Sequence, residues 1–252
     1  MLLDQAGIDH FQRYGWLHVP GFFSGESMDE LRQWVDQLAS WPEQPGRHMV
    51  YSEPDLRVPS SRMVQRIEYF CEEHSGFDAL LNRDKLAISV AQLMGEPVAL
   101  FKEKINFKHP GGAGFEAHQD QQAGWSKYAP LFVSVMVSID HATPLNGCLE
   151  IEQGNEGRLR TLIGEEWQPL DDTHPTCRYV AVPTAPGCAI FFDSYVAHRS
   201  AANLSAESRR MLYATYNRRS DGDHRALYFQ EKRQNFPPDC EREPGKTYKF
   251  RV

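Results

Sequence analysis

The period of the apolar residues changes at Val98, and this change restricts the fold more than any other feature of the sequence. Before Val98, apolar residues recur every three or four positions, which predicts amphipathic helices over residues 24–41 and 83–94. Ser24 is placed to cap the first helix and Pro42 to end it. After Val98 the period is two, as in β-strands.

Six strand-like segments follow one another with no helical pattern between them, separated by turns rich in Gly, Pro and Asn. They cover residues 98–107, 131–140, 148–152, 178–182, 187–193 and 209–217. Helices that precede a run of short strands, instead of alternating with it, are typical of an antiparallel barrel or jelly roll. We therefore predict a mainly β fold of this kind with N-terminal helical support.

The length of 252 residues favours a single enlarged domain in three parts. Residues 1–97 form a helical part, residues 98–217 the β core, and residues 218–252 a polar extension with weak order signals. The polar stretch 42–61, which prolines interrupt, is interpreted as a surface excursion, a usual location for a substrate lid. Surface roles are assigned to four residues in or near it: Tyr51, Arg57, Arg62 and Arg66.

The charge balance and the cysteines limit the partners and the compartment. With 27 Lys and Arg against 34 Asp and Glu, the net charge is −7, so we expect no nucleic-acid partner. No window approaches the roughly 18 apolar residues of a membrane span, and no leader pattern opens the chain, so we expect no membrane partner. The five cysteines are scattered and odd in number, which indicates reduced thiols in the cytoplasm.

Two histidines and an aspartate form a candidate metal site. His118 and Asp120 are two positions apart, and in an extended chain such residues point to the same side. His198 follows the buried strand predicted at 187–193, which a jelly roll can bring against an earlier strand. Two imidazoles and one carboxylate on one face of a metal are the ligand set of non-haem Fe(II) oxygenases. The alternative is a surface His-Asp pair.

Arg209 is a candidate anion-binding residue. It opens the strand predicted at 209–217, where odd positions share one face. A guanidinium on an inward face is costly unless it meets an anion, and its planar fork suits a carboxylate. The alternative is a surface arginine at the start of a strand.

These segments together resemble the phytanoyl-CoA dioxygenase family of Fe(II)/2-oxoglutarate oxygenases, which includes bacterial ectoine and proline hydroxylases. The matching elements are His118-Gln119-Asp120, residues 187–193, His198-Arg199-Ser200 with Asn203 and Ser205, and Arg209. The resemblance implies a double-stranded β-helix, the cupin-like jelly roll. It also implies that His118, Asp120 and His198 bind iron and act in catalysis, while Arg209 and Ser200 hold the distal carboxylate of 2-oxoglutarate.

The same resemblance suggests roles for further residues. In Lys104-Ile105-Asn106, the asparagine would contact 2-oxoglutarate and the lysine would face the substrate. Phe115 matches an aromatic residue beside the co-substrate. Trp125 lies seven residues after His118, where relatives often have a tryptophan after six, so it is either a pocket wall or a core residue.

The predicted reaction is hydroxylation of a C–H bond with O₂ and 2-oxoglutarate, releasing succinate and CO₂. Asp120 fills the position that a halogenase would leave open for chloride, although desaturation and ring chemistry stay open. Lys102, Lys104 and Lys108 share one strand face. If this face is inward, it favours a small anionic or zwitterionic metabolite, an amino acid or an aminophosphonate, with Lys104 and Lys108 facing the substrate. The alternative is an exposed strand edge with solvated lysines. Residues 100–115 also resemble 2-aminoethylphosphonate dioxygenases.

Two other functions stay open on the sequence alone. A peptide or protein hydroxylase would share the same motifs, and a cupin-like binding domain could hold a metal without turnover. We expect a monomer or a homodimer.

Overall fold

The computed structural model describes residues 2–153, 160–166, 168–170 and 178–248. In chain order its strands are β1 (Trp16–Val19), β2 (Met49–Pro54), β3 (Arg62–Glu68), β4 (Val98–Lys108), β5 (Phe115–His118), β6 (Phe132–Ser138), β7 (Leu149–Gln153), β8 (Arg178–Val182), β9 (Ala189–Asp193), β10 (His198–Ser200) and β11 (Arg209–Arg218). Seven of them form one antiparallel sheet in the order β1-β9-β6-β11-β4-β3-β2, and the other four form a sheet in the order β5-β10-β7-β8.

Five α-helices of the described residues accompany the sheets: α1 (Gln5–Tyr14), α2 (Glu26–Ala39), α3 (Ser75–Asn82), α4 (Lys85–Met94) and α5 (Arg225–Asn235). The first four pack on one face of the larger sheet, where apolar side chains of α2 and α4, such as Leu31 and Val90, join Ile105 and Leu212 in the main core. The opposite face of the larger sheet therefore keeps its polar side chains, and this face carries the candidate site. None of the helices in the described part of the chain is long and apolar enough to span a membrane.

All six predicted strands are present, with ends that shift by at most two residues. Both predicted helices also form, but Ser24 does not cap α2. The capping residue is Gly25, without a side-chain hydrogen bond, and the Ser24 carbonyl instead accepts a hydrogen bond from the Ser27 hydroxyl.

Residues 42–61 are not only a surface excursion, because β2 lies within them and pairs with β3, which pairs in turn with β4. Met49 and Tyr51 are buried there, and the Tyr51 hydroxyl donates to the Phe236 carbonyl oxygen. The surface roles predicted for Tyr51 and Arg66 are therefore wrong, since both are buried. Arg57 and Arg62 are exposed and pair with aspartates, as predicted.

The C-terminal extension is ordered over residues 218–248, contrary to the weak order signals of its polar sequence. Tyr228 on α5 packs against Phe101 of β4, with ring centroids 4.5 Å apart. The helix is also held by charge. Arg225 pairs with Glu72 and with the fully buried Glu103, whose carboxylate further accepts hydrogen bonds from two backbone amides. The division at residues 97 and 217 stays a prediction, although strands on both sides of residue 97 share one sheet.

The substitution Arg225→Met tests how α5 is held. It leaves the Glu103 carboxylate buried without its cation, and a buried charge without its partner costs about 3–5 kcal/mol. We expect the free energy of unfolding, measured by urea denaturation, to fall by about that amount. Adding Glu103→Gln should recover part of the loss.

The matched control is Arg83→Met, which breaks an exposed pair with Asp78 and should cost less than about 1 kcal/mol. Equal losses in the two arginine variants would contradict a role for Arg225 in holding α5.

Candidate active site

Two paired strands bring the predicted metal ligands together. His118 is the last residue of β5 and lies opposite His198, the first residue of β10, with ring centroids 4.3 Å apart. Asp120 begins the short 3-10 turn after β5. One ligand atom from each of the three residues lies within 4.8 Å of the others. Residues 80 positions apart in the sequence can therefore contact a single ion.

Hydrogen bonds orient all three side chains. Nδ1 of His118 is 2.6 Å from the Glu116 carbonyl oxygen, and Nδ1 of His198 is 3.0 Å from the Val196 carbonyl oxygen. Because a carbonyl only accepts, each Nδ1 carries the proton and each Nε2 keeps a lone pair for a metal. The Ser134 hydroxyl donates to Oδ2 of Asp120 at 3.0 Å, which leaves Oδ1 on the side of His118.

The protonation states suit a divalent cation. Burial and the neighbouring His198 lower the pKa of His118 to about 3, and burial lowers the pKa of His198. Burial alone would raise the pKa of Asp120, but the two histidines and nearby lysines lower it. Neutral imidazoles and an ionised carboxylate are the forms that coordinate metals, and this donor set fits Fe(II).

A buried cation pair lies at one end of the site. Arg209 is opposite Lys108 in the β11–β4 pairing, and its side chain is almost fully buried. Within the described residues, Nε and Nη1 of Arg209 have no hydrogen-bond partner. Burial and the charge of Arg209 lower the pKa of Lys108 to about 7. Two cations so close together, one with buried donors unused, call for an anion.

The residues predicted to contact 2-oxoglutarate lie around this pair. Nζ of Lys108 donates to the Ser200 hydroxyl at 2.7 Å and lies 5.5 Å from the centre of the Phe115 ring. Asn106 is buried two positions before Lys108 on β4, and its Oδ1 has no partner in the described part of the chain. Lys108, predicted from the sequence to face the substrate, thus lies with the predicted co-substrate residues.

The remaining substrate candidates lie further along β4. Nζ of Lys104 is 4.9 Å from the centre of the Tyr213 ring, on the inward face of β11. Trp125 packs against Phe101 and Phe132 in the core, but its ring also lies 4.8 Å from Nζ of Lys102. Trp125 is therefore a core residue with one face toward the lysines.

Sequence reasoning missed several residues of the site. Tyr213 could have been found, because it shares the odd-numbered face of its strand with Arg209. Ser134 follows from no motif, since only the β6–β11 pairing places it beside Asp120. Glu68 and Lys232 form a buried ion pair whose carboxylate is influenced by Lys102, and they come from β3 and α5, which the sequence patterns did not predict.

The jelly roll brings two histidines and a carboxylate together, and a buried arginine without an anionic partner among the described residues lies at one end of the site. This is the arrangement of a non-haem metalloenzyme. The family model described as phytanoyl-CoA dioxygenase (PhyH) matches residues 11–211. The chain belongs to this family.

Curated relatives agree with this assignment. The chain is 38% identical over 246 residues to a 2-aminoethylphosphonate dioxygenase of the uncultured bacterium HF130_AEPn_1, covering 93% of this chain and 89% of that protein. It is 36% identical over 240 residues to a methylphosphonate hydroxylase of Gimesia maris, covering 93% and 88%.

A solved structure agrees on the fold. EctD from S. alaskensis, crystallised with 2-oxoglutarate and 5-hydroxyectoine, superposes with a TM-score of 0.74 at 22% identity, covering 87% of this chain and 78% of that one. The prediction of a double-stranded β-helix is confirmed. The protein is an Fe(II)- and 2-oxoglutarate-dependent dioxygenase, as the family resemblance implied.

Removing the hydrogen bond to the aspartate tests how the candidate metal site is organised. Without the Ser134 hydroxyl, Asp120 loses the contact that orients it, and loss of such a partner costs about 10–100-fold in metal affinity. We expect Ser134→Ala to weaken Fe(II) binding by this factor, measured anaerobically by competition with a coloured chelator.

Ser138→Ala is the matched control, because Ser138 is on the same strand but its hydroxyl bonds Thr184 away from the site. Equal Fe(II) affinities for the two serine variants would contradict the role of Ser134 in orienting Asp120 for metal binding.

Proposed function

We propose that this dioxygenase hydroxylates a C–H bond of a small organophosphonate, with iron held by His118, Asp120 and His198. The observation that carries the catalytic part of the proposal is the buried Arg209 with its unused donors, which lies opposite Lys108 and so at the end of the site that Ser200, two residues after His198, marks. A guanidinium in this setting is stabilised by a carboxylate that arrives with a ligand, and 2-oxoglutarate brings one.

We assign the distal carboxylate of 2-oxoglutarate to Arg209. Lys108 adds a second positive charge and orients the Ser200 hydroxyl, which is the third donor at this end. Asn106 and Phe115 then lie along the co-substrate, as its polar and apolar contacts respectively. These positions support assigning Lys108 to the co-substrate and not to the substrate.

When bound, iron supplies the oxidising power by which one oxygen atom of O₂ enters the C–H bond and the other enters succinate, as CO₂ leaves. The protein side chains bind, orient and exclude water. Nδ1–H bonds to backbone carbonyls hold both imidazoles in the ligating tautomer, and Ser134 holds the carboxylate. Asp120 occupies the carboxylate position, which supports hydroxylation over halogenation.

The substrate class follows from the relatives. Two that align over most of the chain carry names for phosphonate oxidation, at 38% and 36% identity. An L-proline trans-4-hydroxylase of Streptomyces griseoviridis is 28% identical. The higher identities support an organophosphonate over an amino acid. We place the enzyme in the cytoplasm, where the buried free thiols of Cys71, Cys148 and Cys188 would stay reduced.

Turnover of 2-oxoglutarate tests this function. Enzyme loaded anaerobically with Fe(II) is mixed with O₂, 2-oxoglutarate and methylphosphonate or 2-aminoethylphosphonate, and succinate and the hydroxylated product are quantified. Arg209→Met should raise the KM for 2-oxoglutarate at least about 30-fold, since losing one partner of a buried charge pair costs about 2 kcal/mol or more.

Arg210→Met is the matched control, because Arg210 is the next residue on β11 but faces Asp140 and Asp36 outside the site. Its KM for 2-oxoglutarate should stay within about threefold of the wild-type value. Metal binding without succinate formation from any substrate would favour a binding domain and contradict the proposal.

A further inference from the structure

A second group of buried cations lies on the same face of β4 as Lys108. Lys102 and Lys104 point to the interior of the jelly roll, next to Thr215 and Tyr213 of β11. A role for these lysines in substrate binding rests on the proposed function, because it concerns the part of the substrate that they contact.

Among the described residues, neither lysine forms a direct pair with a carboxylate, although the charges of Asp120 and Glu68 lie close enough to act on Lys104. Within the described ranges, the Lys102 and Lys104 ammonium groups make no hydrogen bond or ion pair with the protein. They lie instead against aromatic rings: Nζ of Lys102 is 4.8 Å from Trp125 and 5.6 Å from Tyr228, and Nζ of Lys104 is 5.7 Å from Phe115. Rings attract cations, but less strongly than an anion does in a buried site.

The nearest carboxylate outside the metal site is already used. Glu68 on β3 accepts a hydrogen bond from Nε of Arg66 at 2.7 Å and one from Nζ of Lys232 on α5. Burial alone would raise the pKa of Glu68, but the charges of Lys232, Arg66 and Lys102 lower it, so the carboxylate is ionised. One glutamate therefore faces four cations, and the cluster keeps an excess of positive charge.

Lys104 borders the Arg209 end, because its Nζ and that of Lys108 lie 5.7 and 5.5 Å from the same Phe115 ring, whereas Lys102 lies further along the strand. Lys104 and Lys108 are four residues apart on one strand, or about 13 Å at the usual rise per residue. Ser200, beside Lys108, is two residues from His198, whereas Ser134 links Asp120 to Thr215, the strand partner of Lys102. A five-carbon diacid bound at Arg209 leaves the Lys102 end open for another anion.

We propose that Lys102 and Lys104 bind the phosphonate headgroup of the substrate, while Arg66 and Lys232, held by Glu68, form the outer wall of this subsite. A phosphonate dianion neutralises both free ammonium groups, whereas a carboxylate would leave one of them uncompensated. The headgroup would lie on the Asp120 side of the metal site, while the distal carboxylate of the co-substrate would lie at Arg209.

The C-terminal segment completes this subsite. Lys232 and Tyr228 both belong to α5, which lies beyond residue 211, where the family model ends. The phosphonate subsite therefore combines a strand of the shared core with a helix beyond the residues that the family model matches, although two curated relatives align over 93% of the chain. Such a helix can differ between relatives without disturbing the metal site.

Calorimetry with the Fe(II)- and 2-oxoglutarate-loaded enzyme under anaerobic conditions tests the subsite directly. Methylphosphonate, inorganic phosphate and acetate are titrated into the wild type and into Lys102→Met, Lys104→Met and the double variant. Methylphosphonate should bind the wild type at least tenfold more tightly than acetate. Each single variant should weaken its binding at least tenfold, and the double variant should lose it. The Kd for 2-oxoglutarate should change by less than threefold.

Lys246→Met removes a lysine charge on the exposed surface and should bind methylphosphonate like the wild type. Lys104→Arg keeps the charge and should retain most of the affinity, which separates loss of charge from loss of fold. Circular dichroism spectra of all variants should match the wild-type spectrum.

Three results would overturn the subsite. The first is wild-type affinity for methylphosphonate in the folded double variant, and the second is acetate binding as tight as that of methylphosphonate. The third is binding of methylphosphonate at the lysines without formation of any hydroxylated product. That result would assign the two lysines to binding of inorganic phosphate. Absence of succinate formation with any substrate would instead contradict the proposed function. The calorimetric comparison would still show whether Lys102 and Lys104 bind the phosphonate.

Discussion

The antiparallel pairing of β5 with β10 is the interaction on which the rest of the site depends. It places His118 opposite His198, and the turn after β5 adds Asp120. The pairing requires a close approach of the chain just before β5, where a side chain on Gly114 would bring its Cβ within 2.4 Å of the Ser200 carbonyl oxygen. A glycine-rich turn therefore has a structural reason to precede the first histidine.

Charge organises the interior of the jelly roll along a single strand. From the Lys108 end of β4 to the Lys102 end, its inward side chains form a cation pair with Arg209, then include a buried asparagine, and then two lysines without a directly paired carboxylate among the described residues. Burying so many cations costs free energy unless anions arrive with the ligands. The pattern favours two anionic molecules, one on each side of the metal, and this is what a 2-oxoglutarate enzyme with an anionic substrate requires.

The strand pattern and the ligand set could be predicted because each depends on local spacing: period two after Val98, and two positions between His118 and Asp120. The outer wall of the proposed phosphonate subsite, formed by Arg66 and Lys232, could not be predicted. Arg66 and Lys232 are polar residues in polar segments, and they become buried only because β3 pairs with β4 and α5 packs over the same strand. Local patterns carry no information on such long-range contacts, so the sequence pointed to Lys102 and Lys104 but not to the buried positions of Arg66 and Lys232 around them.

The most direct test of this account is a crystal structure of the enzyme prepared anaerobically with Fe(II), 2-oxoglutarate and methylphosphonate. The account predicts iron bound by His118, Asp120 and His198, the distal carboxylate of 2-oxoglutarate on Arg209, and the phosphonate on Lys102 and Lys104. Iron at other residues, or a phosphonate on Arg209 with the two lysines free, would contradict it.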